Sequence, residues 1–418
     1  MSDSQGAPPM PIGLNAKLSG MMFLQYAIWG AWLPLLWPYL HGHVGFTPGQ
    51  IGNIFAIGAI GAIVAPLVAG QIADRWFPTQ IFLAVSHLVG AAFVWLLAST
   101  TDYETFCYYT LAYSIIYAPT LPLTNSLAFH HMPDRDRDFG RVRVWGTIGW
   151  IVVGIGFSQW LAGSDEYDLD AGRANAFRLS AILGWVMGVY CFLLPHTPPK
   201  PGHEKSATLA AILAVRKQPL LMLFLLAVPV SCIHQFYFVH TAGFLTNFQG
   251  GAADMLTDIF GAGGGGLMTI GQMAEILVLA SMPFLARKLS RKSLLAIGLA
   301  AYAARMAIFA YIPSASAVMF GIALHGLCFG CFIFVAFMIV DEETSSDVRA
   351  STQSLFNLVI VGIGTIVGSK VATWIAELYM EGNEVVNYAG LFSWPMWGAL
   401  ACLGLLAAGY PGGKRART

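Results

Sequence analysis

The sequence predicts an all-α integral membrane protein with twelve transmembrane helices arranged in two halves of six. Of its 418 residues, 56% are hydrophobic and only 11% are charged, whereas a soluble protein of average composition carries roughly 25% charged residues. Most of the surface is therefore expected to face lipid. Lys plus Arg and Asp plus Glu each number 22, so the formal net charge is zero and no overall field attracts nucleic acid.

Twelve apolar stretches are long enough to span a bilayer, whose ~30 Å core needs about 20 helical residues. They are predicted at 18–40, 50–73, 80–99, 105–129, 142–162, 176–195, 219–245, 263–286, 293–312, 315–340, 350–376 and 388–409, and are called spans 1 to 12 below. The chain is thereby divided into a six-helix half at 1–195, a cytoplasmic loop at 196–218 and a second half at 219–418.

The basic residues are distributed unequally between the two sides of the membrane. Seventeen of the 22 Lys and Arg residues fall in segments on the same side as the N-terminus, and only Arg173 and Arg178 fall in loops on the other side. Cytoplasmic loops carry an excess of Lys and Arg, so both termini are predicted to be cytoplasmic. Span 1 is too long and too rich in Trp and Pro for a cleaved signal peptide.

Two glycine patterns stand out. The run Gly261–Gly266 precedes span 8 on the predicted outer side. It lacks the preceding strand and the Lys-Ser/Thr of a phosphate-binding loop, so it predicts a flexible loop. Gly364 and Gly368 form a G-x-x-x-G pattern in span 11, which favours close contact with another helix.

The loop between spans 2 and 3 carries a motif of a known superfamily. It reads Gly70-Gln71-Ile72-Ala73-Asp74-Arg75, and the equivalent loop of the second half reads Arg287-Lys288-Leu289-Ser290-Arg291-Lys292. This resembles the major facilitator superfamily, whose inner 2–3 loop typically reads G-x-x-x-D-R/K, with a degenerate copy between spans 8 and 9. The resemblance implies that Asp74 and Arg75 lock the inner gate. The alternative is a turn-and-cap pair that faces the cytoplasm.

Ionisable side chains within a membrane are costly, so each is a candidate for function. Glu275 lies halfway along span 8 and Arg305 halfway along span 9. The two spans run antiparallel, so both residues are predicted at similar depth and a salt bridge between them is expected. A carboxylate in this setting can be tuned to accept a proton. The alternative is a static ion pair that does not titrate during the cycle.

Other polar and aromatic residues repeat at helical spacing and predict a cavity. Gln272 and Glu275 lie one turn apart in span 8. The other sets are Arg143, Thr147 and Trp150 in span 5, Gln25, Trp29 and Trp32 in span 1, Gln235 and Tyr237 in span 7, and His325 and Phe329 in span 10. Donors, acceptors and flat rings on several helices suit a small polar ring compound. Aromatic stripes alone would equally serve lipid contact or helix packing.

Longer stretches resemble one particular family. Phe23-Leu24-Gln25-Tyr26-Ala27-Ile28-Trp29-Gly30-Ala31-Trp32 and Val142-Arg143-Val144-Trp145-Gly146-Thr147-Ile148-Gly149-Trp150 are similar to spans 1 and 5 of the bacterial nucleoside:proton symporters. Gln272-Met273-Ala274-Glu275 resembles the family's Q-x-x-E in span 8, and Arg349-Ala350-Ser351-Thr352-Gln353 its R-A-S-x-Q at the start of span 11. The resemblance therefore covers nearly the whole chain.

The resemblance implies a set of substrate contacts and a location in the bacterial inner membrane. The residues that would contact the nucleoside are Arg143, Thr147, Trp150, Gln235, Gln272, Glu275 and Phe329. Amides and a carboxylate suit ribose hydroxyls and the edges of a base, while rings stack on the base. No cofactor is expected, and the proton would be the coupling ion.

Three positions depart from the family pattern. Trp150 stands where the family has Phe, and Phe238 where it has Asn. Gly330 stands where the family has the acidic residue of span 10 that is associated with proton coupling. Two alternatives follow: either Glu275 carries the proton, with His325 and Arg305 assisting, or the protein is a facilitator without obligatory coupling.

Other functions remain open at this level. The span 5 motif would also suit a carrier of sugars or other small polar solutes in the same superfamily. The absence of the span 10 acid is also compatible with a non-transporting sensor. A membrane-embedded enzyme is disfavoured because the sequence contains no H-E-x-x-H or comparable constellation. The expected partners are a small-molecule substrate and the lipid bilayer, without nucleic acid, and the protein is predicted to work as a monomer.

Overall fold

The computed structural model describes residues 8–68, 77–163, 169–199, 208–252, 254–381, 384–385 and 387–411. Each predicted span coincides, wherever its residues are described, with one helix or with consecutive helical segments. Within the described residues, eight helices are individually long and apolar enough to cross a membrane. The predicted all-α membrane fold is confirmed, while the Asp74–Arg75 gate lies outside the described residues.

The helices of spans 1 to 6 come first in the chain. They are Ile12–Trp32, Leu36–Pro38, Pro48–Val68, Thr79–Leu97, Tyr103–Tyr117, Thr120–His131, Arg135–Ala162, Leu169–Gly172 and Ala174–Cys191. Span 1 also contains a 3₁₀ turn at Leu33–Leu35 and a π-helical end at Tyr39–Val44. Span 4 is interrupted between Tyr117 and Thr120, where Pro119 has no N–H to continue the hydrogen-bond ladder.

The second half adds shorter segments between its long helices. Its helices are Leu220–Ala252, Asp254–Phe260, Gly265–Lys288, Arg291–Tyr311, Ala315–Ala323, His325–Leu327, Val335–Glu342, Ser346–Asn357, Gly364–Glu377 and Tyr388–Gly409, and the central loop before it contains the helix Thr208–Val215. Two-residue strands, Met380–Glu381 and Glu384–Val385, pair antiparallel before span 12. Spans 10 and 11 each contain a π-helical stretch, at Cys328–Phe334 and Leu358–Ile363. Such π segments often occur at functional sites.

Among the described residues, five spans begin at polar residues that cap them. In each case a side-chain oxygen accepts a hydrogen bond from the backbone N–H three residues later, which satisfies one of the free donors at a helix start. The caps are Thr47 for span 2, Asp102 for span 4, Asp134 for span 5, Ser290 for span 9 and Asn387 for span 12. The first turns of these helices are thereby fixed by the sequence itself.

The helix pairings of spans 1 to 6 recur in spans 7 to 12. In the first half, span 1 packs on spans 5 and 6, span 3 on spans 4 and 6, and span 2 on span 4. In the second, span 7 packs on spans 11 and 12, span 9 on spans 10 and 12, and span 8 on span 10. Between the halves, span 5 packs on span 8 and span 2 packs on span 11. These two contacts are equivalent, because exchanging the halves replaces span 5 by span 11 and span 8 by span 2.

The halves are joined where span 5 ends and span 8 begins, on the side predicted to be outer. Gly266 N donates to Ser158 Oγ over 2.8 Å and Ala262 N to the Ser158 carbonyl over 2.8 Å. Gln159 Nε2 donates to the Asp258 carbonyl over 2.7 Å. We call these three hydrogen bonds the Ser158 seal.

The glycine run before span 8 is part of this junction and is closely packed, in contrast to the loose loop that the sequence predicts. Gly261, Gly263 and Gly264 have φ of 74°, 81° and 80°, a backbone region that favours glycine. A Cβ at Gly261 would overlap the backbone of Ser158, and one at Gly264 the backbone of Ala242. Glycine is therefore required here both for conformation and for close approach.

The predicted contact at Gly364 and Gly368 is present as well. A Cβ at Gly364 would collide with Ser231 of span 7, and one at Gly368 would lie 2.8 Å from Cys232 Cα and 3.0 Å from Gln235 Cβ. Small residues let helix backbones approach closely in membranes. Span 11 is thereby held against the middle of span 7, beside the residues described next.

Candidate functional site

Gln272 and Glu275 lie on the inner face of span 8, one turn apart. Glu275 is 13 residues before Lys288, the end of its helix, which places it about 20 Å along the helix axis from that end at 1.5 Å per residue. Its side chain is 13% exposed. Gln272 is buried, and its Oε1 atom has no hydrogen-bond partner among the described residues. Span 8 therefore presents a carboxylate and an unfilled acceptor near mid-membrane.

The predicted ion pair between Glu275 and Arg305 is wrong, because His325 of span 10 lies between them. Arg305 Nη1 is 3.0 Å from His325 Nδ1, and His325 Nε2 is 4.0 Å from Glu275 Oε2. The two residues do share a depth, since Arg305 lies 14 residues beyond Arg291, the start of span 9. Equal depth fixes height along the helices, but not the angle at which each side chain leaves its helix.

The guanidinium of Arg305 is completely buried among aromatic rings. Its central carbon lies 4.3 Å from the ring centre of Tyr237 and 5.2 Å from that of Tyr302. Tyr237 also stacks on His325, with ring centres 4.7 Å apart. A cation over an aromatic face is stabilised by the ring quadrupole, so these rings take the place of a counter-charge beside Arg305.

Span 7 contributes a second histidine that the sequence analysis did not select. His234 Nδ1 is 2.7 Å from the hydroxyl oxygen of Tyr302, and its ring stacks on His325 with centres 5.4 Å apart. Its position in the middle of an apolar span was a usable signal, since the rule that marks Glu275 and Arg305 applies to histidine too. We call Glu275, His325, Arg305, His234 and Tyr302 the Glu275 network.

Glycines let the helices of this network approach one another. A Cβ at Gly271 would lie 2.9 Å from His325 Cβ and 3.1 Å from the Tyr237 hydroxyl. A Cβ at Gly326 would lie 2.5 Å from Ala274, immediately before Glu275. Spans 7, 8 and 10 therefore meet at Gln272 and Glu275.

A chain of rings connects the two halves next to this point. Trp29 of span 1 contacts Trp150 of span 5 edge to face, with ring centres 5.8 Å apart. Trp150 contacts Phe238 of span 7 in the same manner at 6.4 Å, and Phe238 contacts His234 at 5.2 Å and His325 at 6.1 Å. The two aromatic departures from the family pattern, Trp150 and Phe238, thus contact each other across the boundary between the halves.

Arg143 and Thr147, the other span 5 residues predicted to contact the substrate, lie at helical spacing from Trp150 on the same stripe of the helix. Arg143 is half-buried, and its guanidinium carbon lies 4.0 Å from the ring centre of Tyr26. Thr147 follows one turn later and is half-buried. Span 5 therefore carries a cation and a hydroxyl on the stripe that includes Trp150.

Gln25 is enclosed within the first half. Its Nε2 donates to Thr120 Oγ1 over 2.8 Å, and its Oε1 lies 3.0 Å from His87 Nε2. Its backbone carbonyl accepts from the Tyr117 hydroxyl over 2.6 Å, and the side chain is fully buried. The polar atoms of Gln25 are thus engaged with spans 3 and 4, unlike those of Gln272.

Gln235 and Phe329 stand at the edges of the site. Gln235 is buried beside Gly368 of span 11. Phe329 is half-buried in the π-helical stretch of span 10, outside the ring chain. Next to it, a Cβ at Gly330 would lie 2.6 Å from Val278 Cγ1. Span 8 thus fills the space that a side chain at position 330 would need.

The arrangement can bind a flat polar compound and hold a proton. The ring chain reaches His325, the neighbour of the Glu275 carboxylate, and Gln272 carries a free amide oxygen one turn away. Such acceptors beside rings can orient a ligand in a mostly apolar pocket. The part of the chain that the structure describes contains no group of three or more His, Cys, Asp or Glu placed to hold a metal ion.

Helix pairings repeated in both halves and a polar site between the halves define a secondary transporter of the major facilitator type. The chain belongs to the nucleoside H⁺ symporter family, whose model matches residues 12–411. This confirms the resemblance drawn from spans 1, 5, 8 and 11. The relatives of the chain are membrane transporters and not enzymes.

Individual relatives match over most of their length. The Escherichia coli (strain K12) protein YegT is 35% identical over 401 residues, which cover 92% of this chain and 89% of YegT. The nucleoside permease NupG of the same organism is 26% identical over 386 residues, covering 89% and 90%. The crystal structure of NupG superposes with a TM-score of 0.83 at 24% identity, over 95% of this chain and 99% of NupG. That superposition establishes the shared fold.

Proposed function

We propose that the protein imports nucleosides across the bacterial inner membrane by alternating access, in symport with protons. The observation that carries the proposal is the unfilled acceptor of Gln272, one turn from the Glu275 carboxylate and next to rings from both halves. A nucleoside combines a flat base with a ribose whose hydroxyls need acceptors. The family and the nucleoside permease NupG support the same substrate class.

The proposed contacts divide by chemistry. Trp29, Trp150 and Phe329 would pack on the base, Gln272 and Glu275 would accept from ribose hydroxyls, and Arg143, Thr147 and Gln235 would complete the polar set. Gln25 is assigned to the packing of span 1, because its amide is already engaged with His87 and Thr120. A bound nucleoside would thereby touch both halves, which is what coupling substrate to their relative movement requires.

Proton coupling is proposed at Glu275. It is the acidic residue of the Glu275 network, its side chain is partly exposed, and His325 Nε2 lies 4.0 Å from its carboxylate. Gly330 supplies no acid, and Val278 occupies the adjoining space. A proton would bind Glu275 from the outer side and leave to the inner side, while the Ser158 seal opens and re-forms in each cycle.

The proposed setting is an inner-membrane monomer with both termini in the cytoplasm. The excess of basic residues on the side of the N-terminus supports this orientation. Both halves of the candidate site come from one chain, so a single copy contains all the proposed contacts. Blue native electrophoresis and labelling of single cysteines at either terminus would test these two points.

Uptake of radiolabelled uridine tests the function directly. Cells that lack their own nucleoside carriers would express this chain, and uptake would be measured at pH 6 and pH 8, with and without an uncoupler. We expect uptake above the empty-vector level that is greater at pH 6 and collapses with the uncoupler. Absence of uptake at both pH values would refute nucleoside import, and uptake indifferent to pH and uncoupler would refute coupling.

A competition series separates nucleosides from sugars. Unlabelled nucleosides should reduce the uptake of labelled uridine, while free ribose, glucose and disaccharides in the same excess should not. A base stacked between rings contributes to binding as an aromatic contact does, about 0.5–1.5 kcal/mol beyond its buried area. Equal competition by sugars would instead identify a general carrier of polar solutes.

A further inference from the structure

The contact between Arg305 and His325 fixes where the hydrogen of the imidazole lies. A guanidinium is always protonated in proteins and can only donate hydrogen bonds. Since Arg305 Nη1 is 3.0 Å from His325 Nδ1, that nitrogen must be the acceptor. The ring hydrogen is then on Nε2, the atom 4.0 Å from Glu275 Oε2. The tautomer follows from the chemistry of the partner.

We propose that Arg305 is a positioning residue that acts on Glu275 through His325. By donating to Nδ1, Arg305 keeps the imidazole neutral and presents its Nε2–H to the carboxylate. It thereby also prevents His325 from taking the proton that Glu275 must carry, a role that rests on the function proposed above. The carboxylate is then the group that gains a proton on one side of the membrane and releases it on the other.

The surroundings of His325 leave its two ring nitrogens to these partners. The titratable or charged groups around it are Glu275 on span 8, Arg305 and Tyr302 on span 9, His234 and Tyr237 on span 7, and Cys328 on its own span. His234 and Tyr237 stack on the ring faces. Tyr302 is engaged with His234 Nδ1. The in-plane contacts of His325 are therefore Arg305 on one side and Glu275 on the other.

A doubly protonated His325 would defeat the coupling. An imidazolium at 4.0 Å would form an ion pair with Glu275 and would hold the carboxylate in its ionised form. The guanidinium opposes this state, because adding a proton to Nδ1 would place two donors face to face. The guanidinium of Arg305 faces the rings of Tyr237 and Tyr302, and among the described residues no carboxylate lies within ion-pair distance of it, so Arg305 leaves Glu275 free to titrate.

The pH profile of uptake by Arg305→Met and Arg305→Lys tests this role. Met fills similar space without a donor, so nothing opposes a proton on His325 Nδ1, and the Glu275 carboxylate 4.0 Å from Nε2 favours the imidazolium as the pH falls. We expect the ratio of uptake at pH 8 to uptake at pH 5.5 to rise about tenfold over wild type, the change expected when one protonation step controls activity over one pH unit. Lys retains a donor and a charge, so Arg305→Lys should keep the shape of the wild-type profile, at reduced rate.

A double variant isolates the imidazole as the group responsible. In Arg305→Met combined with His325→Gln, the amide can donate near the Nε2 position and does not titrate. The inhibition at acid pH should therefore disappear. His325→Asn places its amide near Nδ1 and should not support uptake in either background. An Arg305→Met profile parallel to wild type, or inhibition that persists in the double variant, would overturn the proposal.

Two further measurements keep the test decisive. If wild-type protein takes up no uridine, the proposed function fails and Arg305 is not the cause. If Arg305→Met does not reach the membrane, single His325→Gln and His325→Asn decide: we expect uptake with a wild-type pH profile only from Gln, and equal loss in both contradicts the proposal. Calorimetric binding of uridine to each purified variant at the same pH values should follow the uptake profiles.

Discussion

Each half of the molecule buries a histidine and a glutamine among polar neighbours, and the two groups are built differently. In the first half, Gln25 joins His87 and Thr120 through short hydrogen bonds. In the second, His325 joins Arg305 and Glu275 while the nearby Gln272 Oε1 has no partner among the described residues. The first group is neutral and its amide is satisfied; the second is charged and has open positions.

The difference shows that a polar residue in a membrane helix is not by itself a sign of transport. Buried polar atoms are nearly always hydrogen-bonded, and each exception calls for an explanation. The group around Gln25 meets that rule and holds spans 1, 3 and 4 together. Within the described residues, the Glu275 network and its neighbours leave open Gln272 Oε1, the Tyr237 hydroxyl and two nitrogens of Arg305. Open positions beside the boundary of the halves are where substrate and proton are expected.

The largest effect is expected from Glu275→Gln. The change removes the carboxylate but keeps the shape, so accumulation of uridine against a gradient should be lost at every pH. A hydrogen bond to a charged group contributes about 1.5–3 kcal/mol, so uridine binding should weaken about 10- to 100-fold. Uptake and calorimetric binding measure the two effects. The matched control is Glu104→Gln, at an exposed position at the start of span 4. Equal loss of uridine uptake in both variants would contradict a specific role for Glu275.

Gln272→Leu should affect binding without affecting the fold. Its Oε1 has no protein partner to lose among the described residues, so thermal stability should be unchanged or slightly increased. If the amide contacts the nucleoside, removing it should weaken uridine binding about fivefold, as expected for a hydrogen bond of roughly 1 kcal/mol. Binding calorimetry and the midpoint of thermal unfolding would be measured on the same purified sample. A fall in stability with unchanged affinity would contradict this assignment.

Gln25→Leu should show the opposite behaviour. It leaves buried His87 without its Gln25 partner, while the Thr120 hydroxyl still donates to the Tyr117 carbonyl. Unfolding should therefore become easier by about 1–3 kcal/mol, with the lower end favoured in membranes. Affinity for uridine should remain within about twofold. Adding His87→Leu should restore part of the stability, because removing both partners costs less than removing one. Loss of affinity in Gln25→Leu at normal stability would place Gln25 in the substrate site after all.

A pH effect on the fold, and not on transport, is expected at the inner edge of the first half. His131 Nε2 lies 2.8 Å from Thr197 Oγ1. Burial, followed by the nearby His130 and His196, lowers the pKa of His131. The unfolded chain takes up a proton near the ordinary value of about 6.5, while the folded chain resists it, so this stabilisation is present above that pH and is lost as the pH falls below it. The unfolding midpoint of wild type should therefore fall more between pH 7.5 and 5.5 than that of His131→Gln, and identical falls would contradict the assignment.

The sequence predicts the spans and the depth of the polar residues, because apolar length and helical rise determine both. It predicts Gln272 and Glu275 on one face of span 8, which one turn of helix requires. It does not predict that His325 separates Glu275 from Arg305. That depends on the rotation of spans 8, 9 and 10 about their axes, which close packing at Gly271 and Gly326 sets.

His234 and Phe238 were the residues that sequence reasoning undervalued. His234 was a polar exception inside an apolar span, but its partner Tyr302 comes from span 9, 68 positions later in the chain. Phe238 was noted only as a departure from the family pattern. Its contact with Trp150 joins the two halves, a pairing between residues remote in sequence that no local pattern contains.

The Ser158 seal contributes to the free-energy difference between the two orientations of a transporter whose halves rock against each other. Its three hydrogen bonds contribute a net ~0.5–1.5 kcal/mol each, and together they remain below the ~5.5 kcal/mol that shifts an equilibrium from 1:99 to 99:1. A latch of that size is strong enough to favour one orientation and weak enough for substrate binding to release it. Much of the junction is glycine backbone, so the strength of these hydrogen bonds depends on main-chain geometry. Each hydrogen bond gained or lost would change the ratio of open to closed protein about tenfold at most.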